Sequence, residues 1–339
     1  MAAPWFAVVL AAGKGTRMKS ERAKVLHEVF FAPMVHHVLE ALRPLPLAGT
    51  YVVTGHQREA VEAALAPCGA TFVYQETQGG TGHAVLMVEP ALAVRQGTAL
   101  ILCGDTPLIR SETLQAMVTA HASGGSALTI MTTLLDEPTN YGRIVTDKVG
   151  RVVAIVEEKD ATPEQRRITE INAGIYCVDM AFLFAALKGV GIANAQGEMY
   201  LTDIVAVANR EGHRVNRYVC ADPCEVLGVN SRVELAQAHA ALQMRRNQEL
   251  MLSGVTLIHP ETIAIEGTVA VGRDTLIQPN VTISGRTEIG EGCQIDTAVV
   301  LRDCRVGAGA VIGPLSVLEG VSVGPGERIA PHTVRLAPC

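Results

Sequence analysis

A loop of small residues with many basic side chains follows the first apolar segment of the chain. Residues 6–10 are Phe-Ala-Val-Val-Leu, and residues 11–18 are Ala-Ala-Gly-Lys-Gly-Thr-Arg-Met. Residues without bulky side chains let backbone N–H groups approach phosphate oxygens. Around one acidic residue, Glu21, this part of the chain has five basic residues: Lys14, Arg17, Lys19, Arg22 and Lys24. The segment therefore predicts a site for a phosphorylated ligand.

The charge of the whole chain narrows the class of ligand. The 339 residues carry a formal net charge of −6, whereas residues 14–24 have a local excess of positive charge. A local basic cluster on an acidic chain favours a small phosphorylated ligand over nucleic acid. Because the sequence has no run of about 18 apolar residues, we predict no membrane-spanning helix and expect a cytoplasmic location.

A second candidate is the aspartate that follows the apolar segment 99–103. The order is Cys103-Gly104-Asp105. Ligands of open α/β sheets bind at the carboxyl ends of the strands, and carboxylate oxygens suit Mg²⁺, which bridges phosphates and keeps several waters. Taken alone, Asp105 is also compatible with a capping aspartate in a turn. Combined with the basic loop, it predicts a Mg²⁺ site.

The cysteines and histidines do not predict a metal or redox centre. The chain has eight cysteines, and no two of them form a Cys-x-x-Cys pair. The ten histidines show no HExxH or comparable spacing. Structural or free thiols are therefore expected.

The elements that must position these residues alternate through the first two thirds of the chain. Predicted strands are 6–10, 50–54, 71–74, 99–103 and 126–134, with helices at 33–43, 57–66 and 81–95. This alternation is typical of βαβ units, so we expect a mostly parallel α/β sheet. The pattern continues with further elements: a hairpin of 143–146 and 151–156, strands at 171–178 and 214–220, and helices at 180–188 and near 199–210.

The apolar period changes to six beyond Gly254. The series begins with Ile265, Val271, Ile277, Ile283, Ile289 and Ile295, resumes at Val300, Val306, Ile312 and Leu318, and ends with Val323 and Ile329. A hexapeptide rhythm indicates a parallel β-helix, here with about four coils of about 18 residues. We predict a nucleotide-binding domain at 1–230, a connecting helix at 231–253 and the β-helix at 254–339.

The first motif closely resembles the signature of the sugar-1-phosphate nucleotidyltransferases. It comprises Leu10 to Met18 together with Ala23-Lys24-Val25-Leu26. The resemblance implies a Rossmann-like domain in which Arg17 and Lys24 meet the phosphates. The same resemblance assigns nucleotide contacts to the loop residues Leu10, Ala11, Ala12 and Gly13. The family usually has proline before the lysine, so Ala23 is expected to loosen the loop slightly. We expect Lys24, as a solvated loop lysine, to contribute little to folding.

Later motifs narrow the resemblance to the bifunctional N-acetylglucosamine-1-phosphate uridylyltransferase/glucosamine-1-phosphate acetyltransferase family. Residues 75–84 include Gln75, Gly80 and Thr81 and look like its uracil-binding segment. Three more residues match its sugar-pocket motifs: Gly142, Glu157 and Asn172. By this resemblance Gly142 offers backbone contacts, while the other two bind the hydroxyls and amide of the sugar.

The same family has a second metal motif that matches residues 228–232. The resemblance implies that Asn230 joins Asp105 on Mg²⁺ and that Cys103 and Gly104 contribute to the substrate site. Arg17, Lys24 and Asp105 become the expected catalytic residues. The implied reaction is in-line attack of N-acetylglucosamine-1-phosphate on the α-phosphorus of UTP, giving UDP-N-acetylglucosamine, a peptidoglycan and lipopolysaccharide precursor, and pyrophosphate. A homotrimer through a left-handed parallel β-helix is also implied.

The chain departs from this family in its C-terminal region. The sequence ends before the histidine-containing acetyltransferase motif could occur, so we expect no acetyltransferase activity, and we interpret His332 as a corner residue. Two alternatives remain for the first domain. One is a related pyrophosphorylase with a different nucleotide or sugar-1-phosphate. The other is a non-catalytic nucleotide-sugar sensor or assembly subunit, although such a protein would be expected to lose Lys24 or Asp105.

Overall fold

The computed structural model describes residues 3–92 and 96–337. The chain forms two compact units. The first comprises Met1–His27 and Pro33–Arg232, and the second comprises Glu28–Ala32 and Val233–Cys339. Within the described ranges, no helix is long and apolar enough to cross a membrane.

Short strands and helices alternate through the first 230 residues, as the sequence predicts. The strands are β1 (Trp5–Ala11), β2 (Glu28–Val29), β3 (Ala32–Pro33), β4 (Leu47–Thr54), β5 (Thr71–Tyr74), β6 (Thr98–Cys103), β7 (Leu128–Leu134), β8 (Arg143–Thr146), β9 (Val152–Val156), β10 (Glu170–Asp179) and β11 (Val215–Val219). The α-helices are α1 (Met34–Leu42), α2 (Arg58–Leu65), α3 (Thr81–Leu86), α4 (Ser111–Gly124), α5 (Met180–Lys188), α6 (Ile204–Arg210) and α7 (Arg232–Leu252). Short 3₁₀ turns lie at Thr16–Met18, Lys24–Leu26, Ala66–Cys68, Glu89–Ala91, Gln165–Arg167, Leu201–Asp203, Pro223–Val226 and Pro260–Thr262.

One predicted helix is shorter than expected. The sequence pattern predicts a helix over 81–95, but α3 ends at Leu86 and a 3₁₀ turn follows at Glu89–Ala91. Pro90 lies in that turn, and proline cannot donate the backbone hydrogen bond that would continue an α-helix. Residues 93–95 lie outside the described residues.

The main sheet of the first unit is mixed in direction. Its strand order is β11-β7-β10-β6-β1-β4-β5, and β8 and β9 attach through β10. Strands β6, β1, β4 and β5 are parallel, whereas β10 runs antiparallel to β6 and β7. The parallel arrangement predicted from the sequence is therefore confirmed for the four neighbouring strands β6, β1, β4 and β5, and the antiparallel pairs of β10 and of β8 with β9 make the whole sheet mixed.

Both faces of the sheet are covered by apolar side chains. In β1, Phe6 and Val8 pack into one buried cluster, whereas Ala7 and Val9 pack into the other. Successive side chains of a strand point to opposite faces, so a strand buried on both sides is a continuous apolar run. The register places Leu10 opposite Cys103, so the polar segments that follow β1 and β6 begin at the same edge.

The second unit contains α7 and a parallel β-helix. Its strands are β12 (Thr256–Leu257), β13 (Ala264–Ile265), β14 (Ala270–Val271), β15 (Leu276–Ile277), β16 (Thr282–Ser284), β17 (Glu288–Ile289), β18 (Gln294–Ile295), β19 (Val300–Arg302), β20 (Arg305–Val306), β21 (Val311–Ile312), β22 (Val317–Glu319), β23 (Ser322–Val323), β24 (Arg328–Ile329) and β25 (Val334–Leu336). They stack into three parallel sheets, one for each side of the coil. The β-helix predicted from the hexapeptide rhythm is thus confirmed.

The position of one slip in the rhythm was predicted wrongly. Val300 is 37% exposed, whereas Leu301 is fully buried and pairs with Ile283 and Leu318 in the neighbouring coils. The six-residue interval therefore continues through Leu301, and the one-residue slip falls between Leu301 and Val306. Val300 and Leu301 are both apolar, so the sequence alone does not show which of them faces the core. Pairing with Ile283 places Leu301 inward.

Candidate functional site

A cavity of about 420 Å³ opens at the carboxyl ends of β1 and β6. It brings together most of the predicted site residues from segments far apart in the chain. The predicted residues in its wall are Leu10, Ala11, Ala12, Gly13, Arg17, Lys24, Gln75, Gly80, Thr81, Cys103, Asp105 and Asn230. The remaining predicted residues do not line this cavity: Gly104, Gly142, Glu157 and Asn172.

The loop after β1 forms the first wall. A Cβ added to Gly13 would meet no atom within 4 Å, so the backbone here is open to a ligand. Gly15 adopts a left-handed conformation with φ 61°, and a Cβ there would lie 2.5 Å from Lys24 Cβ. Gln78 Nε2 donates to the Ala12 carbonyl at 2.8 Å and fixes the start of the loop. Glycine is therefore required at position 15 by both backbone conformation and space.

The Lys24 ammonium lies at the centre of the polar wall. It donates to Asp105 Oδ2 and, at 2.6 Å, to Asn230 Oδ1. Arg17 Nη2 also donates to Asn230 Oδ1, at 2.8 Å. Only 12% of the Lys24 side chain is exposed, so the expectation of a solvated loop lysine was wrong. Gly15 packs against its methylene groups, since a Cβ at Gly15 would lie 2.5–3.1 Å from Lys24 Cβ, Cγ and Cδ.

The donor set around Lys24 fits a magnesium ion. Asp105 Oδ2 and Asn230 Oδ1 already converge on one cationic nitrogen, and both are the hard oxygen ligands that Mg²⁺ prefers. Among residues 3–92 and 96–337, no cluster of three or more His, Cys, Asp or Glu could hold a metal alone. Mg²⁺ is usually bound by one or two protein carboxylates, and phosphates and waters complete its shell.

A glutamine that the sequence did not single out holds the basic loop. Gln57 Oε1 accepts from the Ala23 N–H at 2.7 Å, and Gln57 Nε2 donates to the Glu21 carbonyl. Proline at position 23 would lack that N–H. From the sequence, Ala23 was expected to loosen the loop, but Ala23 makes a hydrogen bond that proline could not make. No motif around Gln57 indicated this contact.

The segment around Gly80 forms the wall opposite the basic loop. Gly82 N donates to the Met199 carbonyl and Met199 N donates to the Gly79 carbonyl, both at 2.8 Å. Gly80 has φ 102°, and a Cβ there would lie 2.5 Å from Met199 O. Leu201 N donates to Thr81 Oγ1 at 3.0 Å. The close approach of these two segments requires glycine at position 80.

Gly104 and Cys103 join the ends of β1 and β6. Gly104 N donates to Leu10 O at 2.9 Å, and a Cβ at Gly104 would lie 3.2 Å from that oxygen. Cys103 faces the cavity, and burial, with Asp105 nearby, raises the pKa of its thiol to about 12. A thiol with that pKa stays neutral at physiological pH and is a poor nucleophile.

Gly142, Glu157 and Asn172 form a second group. Asn172 N donates to the Gly142 carbonyl at 2.8 Å, and a Cβ at Gly142 would lie 3.5 Å from Glu157 Oε1. Thr202 Oγ1 donates to Glu157 Oε1 at 3.4 Å. Burial raises the pKa of Glu157, and the nearby acidic residues Asp160 and Asp203 add to the shift. The structure therefore brings the three predicted sugar-pocket residues together.

The Asn172 amide has a fixed orientation. Its Nδ2 donates to the Tyr176 hydroxyl at 2.6 Å, and its Oδ1 accepts from Gly174 N at 3.0 Å. Cys103 Sγ lies 3.8 Å from the Gly174 carbonyl, which connects this second group to the cavity wall. Burial also raises the pKa of Tyr176 well above its usual value, so its hydroxyl stays protonated.

Behind the second group lies a buried arginine. Arg143 is 2% exposed, and its Nη2 donates to Glu158 Oε2 at 2.7 Å. Its Nη1 donates to the Tyr141 carbonyl, while its Nε has no partner among the described residues. The guanidinium thus holds the Tyr141 carbonyl, next to Gly142, and the Glu158 carboxylate, next to Glu157.

Several further residues of the cavity wall were not among the predicted contact residues: Lys14, Gly15, Thr16, Gln78 and Glu198. The first three belong to the predicted basic loop, and Gln78 belongs to the segment that resembles the uracil-binding segment. The glutamate belongs to a Glu-Met-Tyr-Leu-Thr-Asp segment at 198–203 that resembles the family pattern, and that resemblance was the only available signal.

Two family descriptions match separate parts of the chain. Residues 7–168 match the MobA-like NTP transferase domain, and residues 259–336 match the GMPPB C-terminal domain. A solved structure of a Bacillus anthracis protein, described as a glucose-1-phosphate thymidylyltransferase in complex with sucrose, has a TM-score of 0.57. It is 20% identical and covers 70% of this chain and 94% of that chain, which shows a shared fold.

Curated relatives match over nearly the whole sequence. The bifunctional protein GlmU of Desulfotalea psychrophila is 50% identical over 326 residues, which are 96% of each chain. That of Pelobacter propionicus is 47% identical over 97% of this chain and 73% of its own length. That of Heliobacterium modesticaldum is 48% identical, covering 96% of this chain and 72% of its own length.

Proposed function

Because the chain belongs to the GlmU family of nucleotidyltransferases, we propose that it makes UDP-N-acetylglucosamine and pyrophosphate from UTP and N-acetylglucosamine-1-phosphate. One observation carries the proposal. A single cavity contains the open loop at Gly13, the Lys24–Asp105–Asn230 group and the Gln75–Thr81 segment. These are the parts needed for a triphosphate, its charge and its base.

The reaction is an in-line displacement at the α-phosphorus. An oxygen of the sugar phosphate forms the new bond to phosphorus, and the bond to the β-phosphate oxygen breaks, so pyrophosphate leaves with the electron pair. The attacking oxygen is already anionic and no general base is needed. Positioning and charge neutralisation are therefore the catalytic requirements.

The basic residues meet both requirements. The N–H groups around Gly13 face the triphosphate, while Arg17 and Lys24 supply positive charge beside the reacting phosphates. In this structure both cations contact Asn230 Oδ1, at 2.8 and 2.6 Å, so both are held in the cavity wall before a ligand binds. Positive charge beside the reacting phosphates stabilises the charge that develops in the transition state.

Asp105 and Asn230 would hold Mg²⁺ with oxygens of the phosphates. When bound, the ion supplies neutralisation of the charge on the phosphates. Lys24 contacts the same two oxygens in this structure, so its ammonium would move from them to the phosphates when the ion is bound.

The second group supplies the sugar site. Glu157 offers carboxylate oxygens to sugar hydroxyls or to the acetamido N–H, and Gly142 offers its backbone. Asn172 has its amide orientation fixed by Tyr176 and Gly174. Fixed polar groups favour one arrangement of hydroxyls, which gives selectivity between sugars.

A substrate panel tests the proposed function. Pyrophosphate release is measured for UTP, TTP and CTP with N-acetylglucosamine-1-phosphate, glucosamine-1-phosphate and glucose-1-phosphate, with Mg²⁺ and with EDTA. We expect the highest kcat/KM for UTP with N-acetylglucosamine-1-phosphate and no release with EDTA. Highest activity with another pair would favour the related-pyrophosphorylase alternative. Nucleotide binding without release would favour a sensor, although Lys24 and Asp105 are both present.

We also propose that residues 1–339 do not transfer acetyl groups. Between 254 and 339 the histidines are His259 and His332. His259 Nδ1 lies 3.1 Å from Glu261 Oε1 at the surface, and His332 is at a left-handed corner with φ 59°. Incubation of the purified chain with acetyl-CoA and glucosamine-1-phosphate should give no N-acetylated product. Product formation that depends on the chain would contradict this.

The β-helix offers a surface for the proposed homotrimer. Val300, Val317 and Val334 are in register on neighbouring coils and are 37%, 36% and 65% exposed. A continuous column of exposed apolar side chains favours association with another copy. Light scattering should give a trimer mass, and Val317→Glu should lower it, whereas Val149→Glu on an exposed position of the first unit should not.

A further inference from the structure

The side-chain amide of Gln75 is held on its nitrogen side. Nε2 donates to the Gly80 carbonyl at 3.1 Å and lies 2.9 Å from His83 Nδ1. A carbonyl oxygen can only accept, so Gly80 determines which end of the amide faces it. Gln75 is 3% exposed, and its backbone N donates to Thr54 O at 2.8 Å. The residue therefore has little freedom to turn.

His83 takes the second hydrogen of the same amide. An amide nitrogen carries two hydrogens, and with one on Gly80 O the other points to His83 Nδ1. This contact requires an unprotonated Nδ1, so the ring hydrogen is on Nε2. The ring lies against Gly79, where an added Cβ would come within 3.1 Å of Nδ1. The position of His83 Nδ1 is thus set by the backbone of α3 and by the close contact of the ring with Gly79.

The Gln75 amide then has only its oxygen left for a ligand. Gln75 lines the cavity. Among the described residues, both side-chain contacts of Gln75 use Nε2, and Oε1 is not one of the fully buried atoms that lack a partner. Both amide hydrogens are used within the chain, so Gln75 presents an acceptor and no donor to the base.

We propose that His83 is a positioning residue that makes the site select pyrimidines carrying an N3–H group. This rests on the proposed function, since it assigns the base subsite of that reaction. Uracil and thymine have a donor at N3, whereas cytosine has a lone pair there. A lone pair facing Gln75 Oε1 leaves two buried acceptors unpaired, which costs affinity. The amide thus rejects cytosine and does not distinguish uracil from thymine.

Two substitutions at position 83 separate the acceptor from the ring. His83→Phe keeps an aromatic ring against Gly79 and removes the acceptor. His83→Asn keeps an acceptor close to the position of Nδ1. We expect His83→Phe to lower the UTP/CTP ratio of kcat/KM by roughly three- to tenfold, with KM for the sugar phosphate unchanged, and His83→Asn to restore the ratio to within about twofold. An unchanged ratio in His83→Phe, or an equal loss in both variants, overturns the proposal.

The wild-type protein gives an independent measurement. Long-range ¹H–¹⁵N spectra of the His83 ring, assigned by their loss in His83→Asn, should show Nδ1 unprotonated and Nε2 protonated. The opposite tautomer overturns the proposal even if His83→Phe does not fold. Calorimetric binding of UTP, TTP and CTP separates the proposed function from the proposed role of His83. No preference for UTP and TTP over CTP contradicts the proposed function, whereas a preference retained in His83→Phe contradicts only the role of His83.

Discussion

The ammonium of Lys24 contacts the carboxylate of Asp105, 81 residues further along the chain. The contact joins the basic loop to the aspartate after β6 and also includes Asn230, 206 residues from Lys24. Only 12% of the Lys24 side chain and 21% of the Asp105 side chain are exposed. The pair is thus both the charged centre of the cavity and part of its packing.

Lys24→Ala should lower kcat by about 10²–10³, because it removes a positive charge beside the reacting phosphates. It should also lower the melting temperature, since Asp105 loses its ammonium partner in a mostly enclosed position. Pyrophosphate release and thermal melts measure both effects. Lys19→Ala is the matched control, because Lys19 is in the same basic segment but outside the cavity wall. A near-normal rate in Lys24→Ala would show that the assignment is wrong.

Gln57→Ala should reduce kcat by about two- to tenfold, because Ala23 N and Glu21 O lose their shared partner and the segment before Lys24 moves more freely. Ala23 has φ −52°, which proline can adopt. Ala23→Pro should therefore restore the rate in the Gln57→Ala background. Steady-state kinetics of the two single variants and the double variant measure this coupling.

Gln115→Ala serves as the control for Gln57→Ala, since Gln115 is an exposed glutamine of α4 outside the cavity wall. Strictly additive effects of Gln57→Ala and Ala23→Pro would mean that the two residues act separately.

The affinity for the sugar phosphate should depend on the protonation of Glu157. Burial raises its pKa above the ordinary value of 4.5, so its carboxylate is lost at a higher pH than for an exposed glutamate. As the pH falls from 8, KM for N-acetylglucosamine-1-phosphate should rise once this pKa is approached. In Glu157→Gln, the rise in KM that comes from protonation of residue 157 should be absent. The substrate titrates equally with both proteins, so the difference between their two pH profiles reports Glu157 alone.

The same shift has a defined effect on stability. The folded state favours the protonated Glu157, so it binds more protons than the unfolded state above pH 4.5. The contribution of Glu157 to the free energy of unfolding is therefore largest at low pH and falls as pH rises through the raised pKa. Denaturant unfolding of wild type and Glu157→Gln across this range should show the difference, and parallel curves would argue against the shift.

Cys103 should resist alkylation although it faces the cavity. Its pKa of about 12 leaves almost no thiolate at pH 8. Cys68 and Cys224 are exposed. After brief treatment with iodoacetamide, peptide mapping should show label on these two residues before Cys103. Rapid labelling of Cys103 would mean that its surroundings are more polar than the structure shows.

Local patterns allowed most elements to be predicted. The apolar runs of β5 and α5 have the predicted bounds, 71–74 and 180–188. Long apolar runs and regular periods depend mainly on neighbouring residues, so they can be recognised without the fold. The antiparallel β10 could not be predicted, because strand direction depends on which distant strand it pairs with.

By itself, the sequence determined the chemical types at the site: a glycine loop with basic residues, a carboxylate after a buried strand, and a hexapeptide rhythm. The tertiary structure decided which of these share one cavity, since Lys24, Asp105 and Asn230 meet only through contacts between segments far apart in the chain. It also decided the enclosure of Lys24, the tether from Gln57 and the inward position of Leu301. Each of these depends on distances across the fold, and no spacing along the chain specifies them.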